Sequence, residues 1–288
     1  MPRSLENHSK LQQSFDIPHL SLPIVPRFVH RMGALAVETG FASATIDTFS
    51  SAGIEIEIEG DDLPEEGEGL IIASDHRQRI EPLLVQAAMS LSDRNASYVL
   101  AMPTSFAGRL MQASGDAGKE LVIPVIPGSY AAENKPSLRH PRDFMRRNRH
   151  PQALKLPRET LRVVNSAALT HASEIAQTGS VTIFPTGGDA DLPWYKGFGQ
   201  IINQMPDDTH DIVKVALMRP DTFSLKRVMA ALAARDMGMV LPEQKLIIRT
   251  RLLGSIGEAF GKQATGEREG AQRISDKARL LYQEEFHK

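Results

Sequence analysis

The chain of 288 residues has no cysteine. That excludes disulfides, thiolate zinc sites and a cysteine nucleophile, and it fits a reducing compartment. A large charge of one sign is also missing. The formal net charge is −2, whereas a nucleic-acid binder normally carries a basic excess. No apolar run approaches the ~18–20 residues needed to cross a bilayer. The first ten residues, Met-Pro-Arg-Ser-Leu-Glu-Asn-His-Ser-Lys, lack the apolar core of a secretory signal. These absences lead us to expect a cytoplasmic protein, soluble or attached peripherally to the inner membrane face. Several catalytic signatures are missing too. There is no Gly-x-Ser-x-Gly nucleophile elbow, and none of the nine histidines forms a His-Glu-x-x-His zinc pair. Gly257-Glu-Ala-Phe-Gly-Lys262 is one residue short of a phosphate loop and lacks its Ser/Thr. Internal repeats and low-complexity tracts are absent.

What is present is the composition of an ordinary globular chain, 41% hydrophobic and 24% charged. The length suits one large domain, or one domain with a small appendage. We divide it into an N-terminal tail and helical region, 1–52, and an α/β domain, 53–288. Within the first part, Val25, Phe28, Val29, Met32, Leu35 and Ala36 recur at helical spacing, and a second helix is expected over Ser43–Ser51. Ile54, Ile56 and Ile58 alternate with Glu55, Glu57 and Glu59, which predicts a strand with one buried and one acidic solvated face. Strands are then expected at Leu70–Ala73, Tyr98–Ala101, Glu120–Ile126, Val181–Phe184, Val213–Leu217 and Lys245–Leu253. Helices are expected at Pro82–Leu91, Ser105–Ala113, Arg158–Ala176, Phe223–Met237 and Gly270–Phe286. Strands alternating with helices predict an α/β fold with a mostly parallel central sheet flanked by helices.

The segment carrying most chemical information is Gly69-Leu-Ile-Ile-Ala-Ser-Asp-His-Arg-Gln-Arg-Ile-Glu-Pro-Leu-Leu-Val85. It places His76 at a strand-to-helix junction with Glu81 five positions on. An imidazole so placed can act as a general base, and a nearby carboxylate can fix its tautomer and steady the imidazolium. A second segment, Phe184-Pro-Thr-Gly-Gly188, leaves a strand at a Gly-Gly step. Backbone N–H groups there can face an oxyanion, although a plain turn has the same residue pattern. Thr186 can hydrogen-bond an acceptor. Lys196, beside Gly197, can meet a phosphate or pantetheine group or simply remain solvated. Arg139, Arg142, Arg146, Arg147 and Arg149 form the strongest charge cluster, either a solvated loop or a contact for anionic lipid headgroups or an acidic carrier protein.

Taken in order, these segments resemble the glycerolipid acyltransferases, the glycerol-3-phosphate and 1-acylglycerol-3-phosphate acyltransferases. His76 and Glu81 correspond to that family's His-x4-Asp signature, with Glu in place of Asp. Val181-Thr-Ile-Phe-Pro-Thr-Gly-Gly-Asp189 is similar to its later Phe-Pro-Glu-Gly-Thr-Arg block, and Trp194-Tyr-Lys-Gly-Phe-Gly199 to the Lys-Gly step after it. Val213–Leu217 and Lys245–Gly254 take the places of the last two strands. The correspondence runs from about Gly53 to Gly254.

The resemblance implies a divergent acyltransferase in phospholipid metabolism, with His76 and Glu81 catalytic and Thr186, Gly187, Gly188 and Lys196 binding substrate. It implies no cofactor. Acyl-CoA or acyl-carrier protein would be the donor, and a lipid-linked or small hydroxyl or amine compound the acceptor. The departures are Thr186 where the family has Glu, Gly188 where it has Thr and Asp189 where it has Arg. The segment Val122–Tyr130, aligned with the block that normally supplies a phosphate-contacting Arg, has none. They leave open a second possibility, a catalytically lapsed member that binds lipid or a partner.

Overall fold

The computed structural model describes residues 26–74, 80–101, 106–126, 157–186, 194–221, 223–239, 241–261 and 268–286. Seven strands form one sheet: β1 (Ile54–Gly60), β2 (Leu70–Ser74), β3 (Tyr98–Ala101), β4 (Val122–Pro124), β5 (Ser180–Ile183), β6 (Lys214–Pro220) and β7 (Gln244–Ser255). Their spatial order is β1-β7-β6-β2-β5-β3-β4. Strands β6, β2, β5, β3 and β4 run parallel. β7 turns back antiparallel to β6, and β1 pairs parallel with β7. The expected α/β class and mostly parallel sheet are therefore present, with one antiparallel joint.

The helices are α1 (Arg27–Thr39), α2 (Phe41–Ser51), α3 (Glu81–Leu91), α4 (Phe106–Ala113), α5 (Asp116–Glu120), α6 (Arg158–Ile175), α7 (Gly197–Asn203), α8 (Leu225–Asp236), α9 (Ile256–Phe260) and α10 (Arg268–Phe286). They divide between the two sheet faces. Leu70 and Ile72 of β2 enter one apolar cluster with α1, α2, α3 and α8, whereas Ile71 and Ala73 enter another with α6, α7 and α10. A strand covered on both faces has no polar side to show, which is why Leu70–Ala73 reads as a continuous apolar run. Phe28, Val29 and Met32 of α1 and Phe41 and Phe49 of α2 belong to the same cluster as Ile54 and Ile56 of β1.

At its β1–β7 end the sheet keeps one solvated face. Ile54 and Ile56 are buried while Glu55 and Glu59 are exposed, as the alternation predicts. The acids meet cations of β7: Glu57 pairs diagonally with Lys245 (2.5 Å), and Glu59 pairs in register with Arg249 (3.6 Å), which also reaches Asp221 (3.4 Å). β1 is an edge strand, and its charges discourage pairing with another chain.

Several buried polar groups between β2, β3 and β5 have partners. The Gln86 side chain clasps Ser97, donating to its carbonyl (2.8 Å) and accepting from its N–H (2.9 Å), while the Ser97 hydroxyl bonds Thr182 of β5 (2.8 Å). The Arg94 guanidinium donates to the carbonyls of Pro64, Glu65 and Glu68 and to the Ser180 hydroxyl, tying the 64–68 loop to the start of β5. Burial lowers the pKa of Arg94, and the nearby Glu66 and Glu68 carboxylates oppose that shift.

Three short elements depart from the sequence expectation. α5 occupies Asp116–Glu120, where the strand was expected to begin, so β4 shrinks to Val122–Pro124. α7 and α9 form where no helix was expected. α9 owes its start to a capping box: the Ser255 hydroxyl accepts from the Glu258 N–H (3.2 Å), and the Glu258 carboxylate accepts from the Ser255 N–H (2.7 Å).

Candidate active site

β2 and β5 are adjacent and parallel, with Ala73 opposite Ile183. The chain therefore leaves both strands at the same edge of the sheet. After β2 it passes through residues 75–80 into α3, which packs on one face with Leu70 and Ile72. After β5 it passes through residues 184–196 into α7, which packs on the other face with Ile71 and Ala73. Two neighbouring strands whose outgoing connections part to opposite faces create a crevice at their carboxyl ends, the usual ligand position in open α/β sheets. The strands that lead into the two segments singled out in the sequence, about 110 residues apart, end there side by side.

On the β2 side, Ser74 ends the strand fully buried, and Glu81 opens α3 with only 2% of its surface exposed. A carboxylate in the first turn of an 11-residue helix lies at the positive end of the helix dipole. Pro82 follows in the first turn, where its missing N–H costs no helical bond. His76 lies outside the described residues, between Ser74 and Ile80.

On the β5 side, Phe184 and Pro185 lead to Thr186, which is 2% exposed. The Thr186 hydroxyl has no hydrogen-bond partner among the described residues. A buried hydroxyl left so costs ~1–3 kcal/mol, and such a group calls for a specific explanation, a ligand atom among them. Gly187, Gly188 and Asp189 lie outside the described residues. The loop is closed at its base, where the Tyr195 N–H donates to the Pro185 carbonyl (2.9 Å). Trp194 anchors that base, its ring 6.0 Å from Phe198 and 5.6 Å from Tyr282, and its carbonyl accepts from Gln272 (3.2 Å). Tyr195 is 53% exposed beside this anchor. Lys196 is half-buried just before α7, and among the described residues its ammonium has no carboxylate partner.

The sequence reading passed over Arg219. β6 lies on the other side of β2, with Met218 opposite Ser74, so Arg219 stands one residue further along at the same edge. It is partly buried, has no carboxylate partner among the described residues, and lies opposite Arg249 on β7. Opposed like charges are unfavourable, and here Arg249 is paired with Glu59 and Asp221. The signal in the sequence is an Arg-Pro pair closing the apolar run Val215–Met218. The Arg139–Arg149 cluster lies outside the described residues, as do residues 127–130 of the Val122–Tyr130 segment; Asn165 holds the end of the described part, bonding both the N–H (2.9 Å) and the carbonyl (2.7 Å) of Ile126. No group of three or more His, Asp or Glu side chains suited to a metal ion occurs among the described residues.

Glu81, Thr186 and Lys196 follow β2 and β5, and Arg219 ends β6, at the carboxyl edge of the parallel strands; among the described residues the Thr186 hydroxyl has no partner. No protein-family model matches this chain, and no curated protein matches it.

Proposed function

We propose that this chain is an acyltransferase of the glycerolipid type, moving an acyl group from acyl-CoA or acyl-carrier protein to a lipid-linked or small hydroxyl or amine acceptor. The observation that carries this reading is the adjacency of β2 and β5. The strands that lead into the His76–Glu81 segment and the Phe184–Lys196 segment are neighbours, which supports the single site that the resemblance implies. In this reading His76 takes the proton of the acceptor hydroxyl as its oxygen attacks the thioester carbonyl, and Glu81 orients the ring. Backbone N–H groups about Gly187–Gly188 stabilise the tetrahedral oxyanion, which collapses to expel the thiolate. The proton held by His76 then passes to the leaving sulfur. Thr186 bonds a polar atom of the acceptor, and Lys196 and Arg219 attract an anionic part of either substrate. Membrane substrates would be met at the surface, because no described helix is long and apolar enough to cross a bilayer.

The second reading, a lapsed member that binds lipid or a partner, is favoured by one observation. Thr186, Gly188 and Asp189 replace the Glu, Thr and Arg of the family block together. Thiol release measured across acyl-CoA and acyl-carrier donors with a panel of acceptors separates the two. Turnover is expected, and His76→Ala should lower it by ~10²–10⁴, the usual contribution of a positioned base, at an unchanged melting temperature. Unchanged turnover in folded His76→Ala would remove the base role. A wild type inert with every donor, yet binding acyl chains, would establish the lapsed reading.

A further inference from the structure

Helix α1 turns Phe28, Val29, Met32, Gly33 and Ala36 inward and leaves Arg27, His30, Ala34, Val37 and Glu38 exposed. At ~100° per residue the exposed five fall within about 100° of one another, on the side away from the buried five. Val37 is 83% exposed, the most of any large apolar side chain among the described residues. Beside this face runs a groove of about 260 Å³. One wall is His30, Gly33, Ala34 and Val37; the other is residues 113–117, where α4 passes into α5. The walls are fixed to one another. A Cβ at Gly33 would lie 2.1 Å from the Ser114 carbonyl oxygen, so only glycine lets α1 sit this close to the turn. At its start α1 is tied to α8, where Asp236 accepts from the Phe28 N–H (2.7 Å) and from Arg31 (3.0 Å).

The face carries both signs of charge, at opposite ends. Arg27 opens α1 and Glu38 stands in its last turn, and among the described residues neither meets an opposite charge. Each sits at the end of the helix whose dipole disfavours it, a cation at the positive end and an acid at the negative end. Around the helix Arg27 and Glu38 lie within about 20° of each other, and so do His30 and Val37. Along it, the midpoint of each pair falls about half a residue from Gly33. Two antiparallel copies of α1 crossing level with Gly33 therefore satisfy both pairs at once. Arg27 of each copy meets Glu38 of the other, and Val37 of each meets His30 at the rim of the other's groove.

We propose that the outward face of α1 docks a second copy of this chain, antiparallel about a two-fold axis level with Gly33. A two-fold interface uses the same patch twice, so groove and filler must lie on one surface, as they do here. Each Val37 enters the partner copy's groove, and the two Arg27–Glu38 pairs close the ends. Antiparallel pairing also sets each helix end against an end of opposite sign. An anionic bilayer would meet Glu38 and Asp116 as well as Arg27, with one valine to insert. A helix pair with its flanking turns belongs at the low end of specific interfaces, ~1,000 Å² in total, so the dimer should form in the micromolar range. The pairing is independent of the proposed acyl transfer and is measured without turnover.

The experiment is sedimentation velocity on the full chain from ~1 to ~100 μM, the range suited to an interface of this size. Wild type should pass from a 31.7 kDa species to one of twice that mass as concentration rises. Val37→Lys should raise the dissociation constant at least ~10-fold, because it puts a charge where the apolar filler belongs. Arg27→Glu and Glu38→Arg each set like charges opposite one another and should weaken pairing roughly ten-fold. Mixed in equal amounts, those two single variants should pair again, since every contact between unlike copies then joins opposite charges. All these side chains are exposed, so melting temperatures should stay close to wild type. Wild type that remains monomeric at the highest concentration overturns the proposal and leaves the groove to another occupant, residues 1–25 or a different protein. A Val37→Lys chain that pairs as wild type does also overturns it. So does a mixture of the two charge variants that stays monomeric while wild type pairs.

Discussion

Thr186→Val changes one oxygen for a methyl at a buried position just past β5. The two side chains are nearly isosteric, so the substitution tests the hydroxyl and little else. Thr186 is 2% exposed and its hydroxyl has no partner among the described residues. In the free protein that group is a liability of ~1–3 kcal/mol. Valine removes it, and stability should rise by ~1–2 kcal/mol. At roughly 2–4 °C per kcal/mol for a chain of this size class, the melting temperature should climb by ~2–8 °C. If the hydroxyl bonds the acceptor during transfer, the same change removes a hydrogen bond worth ~0.5–1.5 kcal/mol net, lowering kcat/KM by ~2–12-fold. Stability and activity should thus move in opposite directions, as when a binding group is kept at the expense of the fold. Calorimetry and steady-state assays on the same preparation read both. A variant that melts lower and turns over normally would refute the reasoning, because the hydroxyl would then be bonded within the protein and idle in the reaction.

Other outcomes follow from separate parts of the structure. Glycerol-3-phosphate should be a poor acceptor, since Asp189 stands where a cation is expected and Val122–Tyr130 carries no Arg; saturable turnover of it with ordinary efficiency would show the loop has been misread. The hydrogen bonds from the Ser255 N–H and hydroxyl hold the Glu258 carboxyl below its usual value of 4.5. A depressed folded pKa contributes stability that is full above about pH 4.5 and disappears as pH falls through the lower folded value. Melting of Glu258→Gln should therefore depend less on pH between 5 and 2 than that of wild type. Gly199→Ala should destabilise strongly, because a Cβ there would sit 1.9 Å from the Ala271 carbonyl oxygen on α10; an unchanged denaturation midpoint would mean α7 and α10 separate at little cost.

The long elements were legible because their residues repeat a pattern. Leu161 and Ala168 turn α6 inward at helical spacing, and Ile54 and Ile56 alternate with glutamates on β1. Short helices escaped notice: α5, α7 and α9 span at most seven residues, too few to establish a period. α9 begins at Ser255-Ile-Gly-Glu258, a capping-box pattern that was readable and was overlooked. At the site, the sequence pointed to Glu81 and Thr186 by their places after two apolar strands, but it passed over Arg219. An unpaired cation is recognised by the absence of a neighbour, and neighbours are a property of the fold.

The sequence by itself determined the α/β class, because strand and helix periods are local and the hydrophobic effect enforces them wherever the chain goes. It also determined which segments carry polar groups out of apolar strands. Strand order belonged to the tertiary structure alone. Nothing between residues 75 and 180 announces that β5 will insert between β2 and β3, or that β7 will run antiparallel. That choice was made by burial: β2 is apolar on both sides and needs a helical layer over each face. Sending α3 to one layer and α6 and α7 to the other supplies both, and it opens the crevice where the two connections part.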